Sequence, residues 1–284
     1  MNPKPRTGLF PLEKRLKVRK RAAMTIALGF NCPDGIVLCT DSMESDGVSK
    51  NKVNKIWCYE TQDQWGLSVA SAGESDFIES FTDNLNELFT GEHFNKDWIM
   101  ATLRKAINAA RSSYPDLQWS ALFGFFGPSP MDRRLLRVSE YSKHIAPVSR
   151  YEALGIGSCL AKFLCCQMYA LFMNVEEAAE LAVFIVRQCI NHVEGCELPI
   201  SLLSWKVGQT GWAPYHPTEV QKIIDGFDDK KLRKNLLDYW RAETTHLTRP
   251  HTYDDLQQGG FVKFRRALGL KPMRSISQKL RQKR

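Results

Sequence analysis

The chain has no apolar run long enough to cross a membrane. Its apolar stretches, such as 36–38 and 200–203, hold only a few residues, whereas a spanning helix needs about 20. The first 24 residues lack the apolar region and cleavage site of a signal peptide, and they are poor in the serine of transit peptides. We therefore predict a cytoplasmic protein that has no membrane partner.

A disulfide framework is also missing. None of the eight cysteines forms a CxxC pair, and several lie among apolar residues, as at 163–166. This usage predicts reduced, buried thiols. His192, near Cys189 and Cys196, belongs to the only suggestive metal-ligand grouping. A helix-end histidine between core cysteines explains that grouping more simply, so we predict neither a metal nor a cofactor.

The net charge of +8 comes from the two ends of the chain. Residues 1–24 carry +7 and residues 261–284 carry +9, which leaves −8 on the rest. Such basic ends are usually solvated and flexible. Binding to nucleic acid is the more specific alternative interpretation. No nucleic-acid recognition motif accompanies them, so nucleic acid remains a secondary candidate partner.

Hydrophobic periodicity predicts an α+β architecture. The order is strands, two helices, strands, two helices and a strand, which is typical of antiparallel sheets covered by helices. Two sheets stacked between two helical layers, an αββα sandwich, would accommodate it. The predicted strands are 25–31, 36–40, 55–59, 66–72, 120–126, 135–139, 145–148 and 200–207, and the predicted helices start near 74, 97, 159 and 175.

Three regions follow from this pattern. Residues 1–24 form a basic N-terminal extension, residues 25–211 form the folded domain, and residues 212–284 form a charged C-terminal extension. Within the last region, 218–227 and 230–241 have the pattern of short charged helices.

One stretch carries a resemblance to a known family. TIALGFNCPDGIVLCTDS, from Thr25 to Ser42, resembles the N-terminus of mature proteasome β subunits and of bacterial proteasome-like peptidases, which are N-terminal-nucleophile hydrolases. Asp41 follows Thr25 by 16 positions, as in the family pattern. Further similar pieces follow in family order across 24–207: Gly47, Lys55-Ile56, SAGESD at 71–76, GIGSCLA at 155–161 and NVEEAAELA at 174–182.

The resemblance implies an αββα sandwich, assembly into rings, and threonine-type hydrolysis of peptide or unfolded-protein substrates. It assigns Thr25 as the nucleophile, with the α-amino group of the same residue as base, Lys55 as activator and Asp41 as the partner of the lysine. A threonine hydroxyl needs such a base, and an α-amino group of pKa ~7.7–8.0 suits neutral pH. The backbone N–H of Gly73 is the candidate oxyanion donor, with Ala72 as the alternative.

Other interpretations stay open at this point. Without the family, Thr25 is a strand residue, Asp41 a turn former and Lys55 a solvated charge. Two departures, Ile156 where the family has serine and Asn191 near the place of an aspartate, are compatible with a catalytically silent structural subunit. A small-amide hydrolase and a nucleic-acid-associated protein acting through the basic ends are further alternatives.

The residue before Thr25 decides between enzyme and scaffold. Self-cleaving precursors of the family usually have glycine there, whereas this chain has Met24. Translation from Met24 followed by removal of the methionine would make Thr25 the first residue without self-cleavage.

Overall fold

The structure, a computed structural model, describes residues 25–45, 50–53, 55–61, 64–88, 95–139 and 144–226. The two basic ends, Gly47 and the predicted helix at 230–241 lie outside the described residues. Two antiparallel five-stranded sheets, a two-stranded ribbon and five α-helices are the main elements of these ranges, in agreement with the predicted α+β class. In the described ranges we find no helix that is both long and apolar enough to span a membrane.

The first sheet carries the N-terminal hairpin. Its strand order is β10-β1-β2-β11-β12, and all its neighbours are antiparallel. The turn predicted at 33–35 joins β1 to β2, because Asp34 and Gly35 suit a tight reversal between two apolar strands. The strands of this sheet are β1 (Ile26–Cys32), β2 (Gly35–Asp41), β10 (Tyr151–Gly155), β11 (Ile200–Lys206) and β12 (Ala213–Pro214).

The second sheet is a meander. Its order β5-β6-β7-β8-β9 follows the chain, so each strand pairs with its neighbour in sequence. Between β2 and the first strand of this sheet, β3 (Met43–Ser45) pairs with β4 (Lys50–Lys52) in a separate two-stranded ribbon. The strands of the second sheet are β5 (Ile56–Glu60), β6 (Gly66–Gly73), β7 (Trp119–Phe126), β8 (Arg134–Val138) and β9 (Ile145–Pro147).

The helices have recognisable start signals. The helix predicted after Asn174 begins there, since the Asn174 side chain accepts from the Glu177 N–H and the Glu177 carboxylate accepts from the Asn174 N–H. This reciprocal capping box satisfies two otherwise unpaired amides. The helices are α1 (Ser75–Leu88), α2 (Lys96–Ser113), α3 (Ser158–Met168), α4 (Val175–His192) and α5 (Pro217–Gly226).

Three apolar clusters hold these elements together. One lies between the first sheet and the helices α3 and α4, and a second lies between the other sheet and the helices α1 and α2. The third, which includes Leu38, Leu122 and Trp205, joins the two sheets face to face. Phe126 and Trp205 stack there with ring centroids 4.5 Å apart. Every residue of β2 and β7 is buried, because both faces of each strand are covered, and this explains why both strands are mostly apolar.

The structure differs from the predicted elements at two places. The predicted strands do not include β10, and α3 ends at Met168, whereas the apolar pattern predicts a helix from 159 to 172. The chain is extended at Tyr169, whose side chain stacks on Phe30 of β1 at 5.8 Å. Long-range packing of this kind overrides local helical periodicity.

Candidate functional site

Thr25 lies directly before β1 and is 3% exposed. Its hydroxyl donates to Asp41 Oδ1 at 2.5 Å and accepts from Lys55 Nζ at 2.7 Å. Asp41 ends β2, the strand that pairs with β1, while Lys55 precedes β5 of the other sheet. The structure thus brings together three of the four residues singled out in the sequence, at the place where the two sheets meet.

Asp41 is the centre of this hydrogen-bond network. Its Oδ1 also accepts from the backbone N–H of Ile26 at 3.0 Å and from Lys55 Nζ at 3.1 Å, and its Oδ2 accepts from the Glu197 N–H at 3.4 Å. The residue is fully buried. A buried carboxylate requires a paired cation and hydrogen-bond donors, and Asp41 has both.

Lys55 is not a solvated charge. It is 5% exposed, and its ammonium lies within bonding distance of both Thr25 and Asp41. Its backbone carbonyl accepts from the Ser71 N–H at 3.0 Å, which attaches it to β6. A lysine buried in this way places a positive charge 2.7 Å from a hydroxyl oxygen, where it favours the alkoxide form of that oxygen.

Two glycines near the site occupy positions that admit no side chain, and one of them, Gly155, lies against Thr25. Gly155 has φ +88°, and a Cβ there would lie 2.2 Å from the Thr25 carbonyl oxygen and 3.2 Å from the Ala72 Cβ. Gly73 has φ +150°, and a Cβ there would lie 2.6 Å from the Gln118 carbonyl oxygen. Both positions therefore require glycine on conformational and steric grounds.

We expect Gly155→Ala to destabilise the protein by about 3 kcal/mol, since it combines a disfavoured backbone conformation with a backbone clash. Gly208→Ala is the matched control, because Gly208 has φ +93° and nothing within 4 Å of its Cβ position. That control should lose only the conformational part, about 1–2 kcal/mol. Urea unfolding of both variants measures the difference, and equal losses would contradict the close approach at Thr25.

A cavity of about 420 Å³ opens beside this point. Ala72, Gly73 and Gly155 form part of its wall, and Gly155 contacts the Thr25 carbonyl as described above. Gly73, the predicted oxyanion donor, thus lies on the wall of a cavity next to Thr25. The Thr25 side chain itself faces Asp41 and Lys55.

The two departures from the family pattern have different surroundings. Ile156 lines the cavity and is 41% exposed, so an apolar side chain stands where a hydroxyl was expected. Asn191 lies exposed in the last turn of α4. The segment after α4 instead reaches the site through the backbone of Glu197, which no side-chain motif in the sequence could reveal.

Buried thiols surround the carboxylate. Cys39, Cys189 and Cys196 are buried, and burial, reinforced by the negative charge of Asp41, raises the pKa of Cys189 and of Cys196 to about 12. Burial raises the pKa of Cys39 as well. All eight cysteines are free thiols; five are buried, as predicted, but Cys58, Cys159 and Cys166 are exposed, which corrects the prediction of burial for those three.

We expect a chromogenic disulfide reagent at pH 8 to modify only the three exposed thiols of the folded protein quickly. A thiol of pKa about 12 holds roughly one part in ten thousand as thiolate at that pH, and the thiolate is the reactive form. The other five should react only after addition of denaturant. Rapid reaction of Cys189 or Cys196, identified by peptide mapping, would contradict the packing around Asp41.

Comparison with known proteins places the fold. No protein-family profile matches the chain, and no curated protein matches it. Among solved structures, an Anbu mutant from Hyphomicrobium sp. strain MC1 superposes with TM-score 0.64 at 16% identity, covering 75% of this chain and 98% of the other. This chain has the fold of the Anbu proteins.

Two further structures agree. Anbu from Yersinia bercovieri, described as an ancestral beta-subunit, has TM-score 0.62 at 13% identity and covers 72% of this chain and 94% of its own. A helical assembly of the Anbu complex from Pseudomonas aeruginosa has TM-score 0.58 at 15% identity, with coverage of 80% and 99%. At identities this low the similarity establishes the fold alone, and that fold is proteasome-like.

These neighbours correct the family resemblance drawn from the sequence. That resemblance pointed to proteasome β subunits and bacterial proteasome-like peptidases, whereas the structural neighbours are Anbu proteins. The correction has a physical reason. The quoted pieces build the first hairpin, the end of β6 and the starts of α3 and α4, so they carry the common fold and do not separate one proteasome-like family from another.

Proposed function

We propose that the chain is a threonine-type peptidase on an N-terminal-nucleophile αββα sandwich, active when Thr25 is its first residue. The contact of the buried Thr25 hydroxyl with both Asp41 and Lys55 carries this proposal. The three apolar clusters support the four-layer architecture. One joins helices to the first sheet, one joins the two sheets, and one joins the second sheet to helices. The cavity bounded by Gly73 and Gly155 provides room for a substrate next to the backbone carbonyl of Thr25.

The free α-amino group of Thr25 supplies the base. It takes the hydroxyl proton as Oγ1 attacks the carbonyl carbon of the substrate, and Lys55 stabilises the developing negative charge on Oγ1. The Gly73 N–H binds the oxyanion. When the peptide C–N bond breaks, the α-ammonium group of Thr25 transfers this proton to the leaving amine, and the acyl group stays on Thr25 as an ester.

Water completes the cycle. The α-amino group takes a proton from water as the water oxygen attacks the ester carbon, and the Thr25 oxygen leaves with that proton. In a chain that retains residues 1–24 the nitrogen of Thr25 is an amide and cannot accept a proton. This requirement sets the first proposed boundary, between a removable segment at 1–24 and the peptidase that begins at Thr25. The other proposed boundary separates the peptidase at 25–211 from an extension at 212–284, whose first strand, β12, still pairs with β11 of the first sheet.

Assembly of several copies is part of the proposal. The Pseudomonas aeruginosa neighbour is described as a helical assembly, and this chain exposes apolar side chains on and after α3. Phe163 is 48% exposed and Phe172 is 64% exposed. Monomers rarely leave such a group of aromatic residues in water, so a second copy of the chain is the expected cover in a ring or open ring.

The test compares two purified forms, one whose first residue is Thr25 and one that retains residues 1–24. We expect the first form to hydrolyse fluorogenic peptides and the second to be inactive, since only the first has a free amino group beside the hydroxyl. Intact mass confirms each start, and sedimentation velocity measures the assembly of both. Equal turnover by the two forms would contradict the proposed base.

A non-catalytic structural subunit is the second candidate. Ile156 favours it, because an isoleucine lining the cavity offers no hydrogen bond to an amino terminus. Assembly without turnover in the form that begins at Thr25 would support this candidate.

A further inference from the structure

The cavity beside Thr25 has a positively charged wall. Arg137 of β8 and Lys162 of α3 both line it, together with the hydroxyl-bearing residues Ser120 and Ser158. Among the described residues that line the cavity, none is acidic. A ligand that enters it therefore meets cations and hydrogen-bond donors.

A single carboxylate pairs with both cations and neutralises only one of the two charges. Glu152 of β10 accepts from Arg137 Nη1 at 3.0 Å through Oε2 and from Lys162 Nζ at 2.7 Å through Oε1. Two positive charges against one negative charge leave a net charge of +1. The Glu152 side chain is 12% exposed, whereas those of Arg137 and Lys162 are 42% and 47% exposed, so the cations and not the carboxylate face the solvent.

The start of α3 adds partial charge of the same sign. This helix begins at Ser158 on the cavity wall, and its N-cap residue Gly157 offers no side-chain cap. The unpaired amides of a helix N-terminus carry partial positive charge. Together with Arg137 and Lys162, they make the cavity complementary to an anion.

We propose that this cavity binds a carboxylate of the substrate, with Arg137 and Lys162 as specificity-determining residues. Its position next to the bond that is cleaved rests on the proposed function. The planar guanidinium of Arg137 suits a carboxylate, and Lys162 adds a second cation. Two sources carry this chemistry: an Asp or Glu side chain of the substrate, or the carboxylate at the end of a peptide.

Internally quenched peptides test the preference on the form that begins at Thr25. One pair carries Glu or Gln beside the cleaved bond, and a second pair ends in a free carboxylate or an amide. We expect kcat/KM to be about fivefold higher for the carboxylate member of one pair, and the pair that shows this preference identifies the source. The preference should fall as salt rises.

Substitutions in the cavity wall should change the preference for the carboxylate peptide in opposite directions. Arg137→Gln and Lys162→Gln should each reduce the preference for the carboxylate, whereas Glu152→Gln should increase it, because both cations lose their counter-charge. Lys206→Gln is the matched control, since Lys206 is also ion-paired, to Glu176, but lies at the opposite end of the sheet, where it pairs with Gly35. It should leave the preference unchanged.

Binding separates this proposal from the peptidase activity. The Thr25→Ala variant should bind the carboxylate peptides more tightly than the matched neutral ones in fluorescence anisotropy, with the same dependence on Arg137. That result would support the carboxylate site even if no peptide is cleaved. Equal binding of charged and neutral peptides, or an equal effect of Arg137→Gln on both, overturns the proposal even if turnover is observed.

Discussion

Lys55→Met should lower the free energy of unfolding by about 3–5 kcal/mol, because it leaves the Asp41 carboxylate buried without a cation. Asp41 is fully buried, and Lys55 Nζ lies 3.1 Å from its Oδ1. Within the described ranges, the other donors seen at Asp41 are the Thr25 hydroxyl and two backbone N–H groups. These neutral groups do not replace a full positive charge.

Two further variants make this result specific to the pair. Lys206→Met removes a lysine that is bonded to Glu176 but 38% exposed, so it should change stability by no more than about 0.5 kcal/mol. The double variant Asp41→Asn with Lys55→Met should lose about 2 kcal/mol less than the sum of the single losses. Additive losses in urea unfolding would show that the two charges do not interact.

Thr25→Ala, made in the form that begins at residue 25, should lower peptide turnover by at least about 10³-fold, since it removes the atom that forms the acyl bond. Thr25→Ser keeps a hydroxyl and an α-amino group on one residue, so it should retain measurable turnover. Its comparison with Thr25→Ala separates chemistry from packing.

Stability measurements accompany that pair of variants. Thr25→Ala removes one hydrogen bond to Asp41 and one from Lys55, which we expect to lower stability by about 1–2 kcal/mol. Such a loss leaves a folded protein, so the drop in turnover cannot come from unfolding. Turnover that survives in Thr25→Ala would exclude Thr25 as the nucleophile.

The features that the sequence could predict depend on residues that are close together in the chain. The apolar strands on either side of Asp34-Gly35 form one hairpin, and the register of that hairpin puts Asp41 beside the start of β1. The closeness of Thr25 and Asp41 therefore follows from a single turn and two strand lengths. The start of α4 is equally local, because Asn174 and Glu177 cap each other.

Contacts between distant segments could not be predicted in this way. Strand β10 has few β-branched residues, and it forms because β1 offers it an edge. Lys55 reaches Thr25 only because the two sheets stack, and the family resemblance, not local periodicity, suggested that contact. The backbone of Glu197 and the bridge from Glu152 to Arg137 and Lys162 depend on tertiary packing that leaves no local pattern.

Covalent labelling with a β-lactone identifies the nucleophile itself, because the hydroxyl that opens the lactone keeps the whole mass of the reagent as an ester. We expect the form beginning at Thr25 to gain one reagent mass, mapped by peptide sequencing to Thr25, and its Thr25→Ala variant and the form retaining residues 1–24 to gain none. Labelling of a different residue, or equal labelling of the form that retains residues 1–24, would contradict the proposed nucleophile.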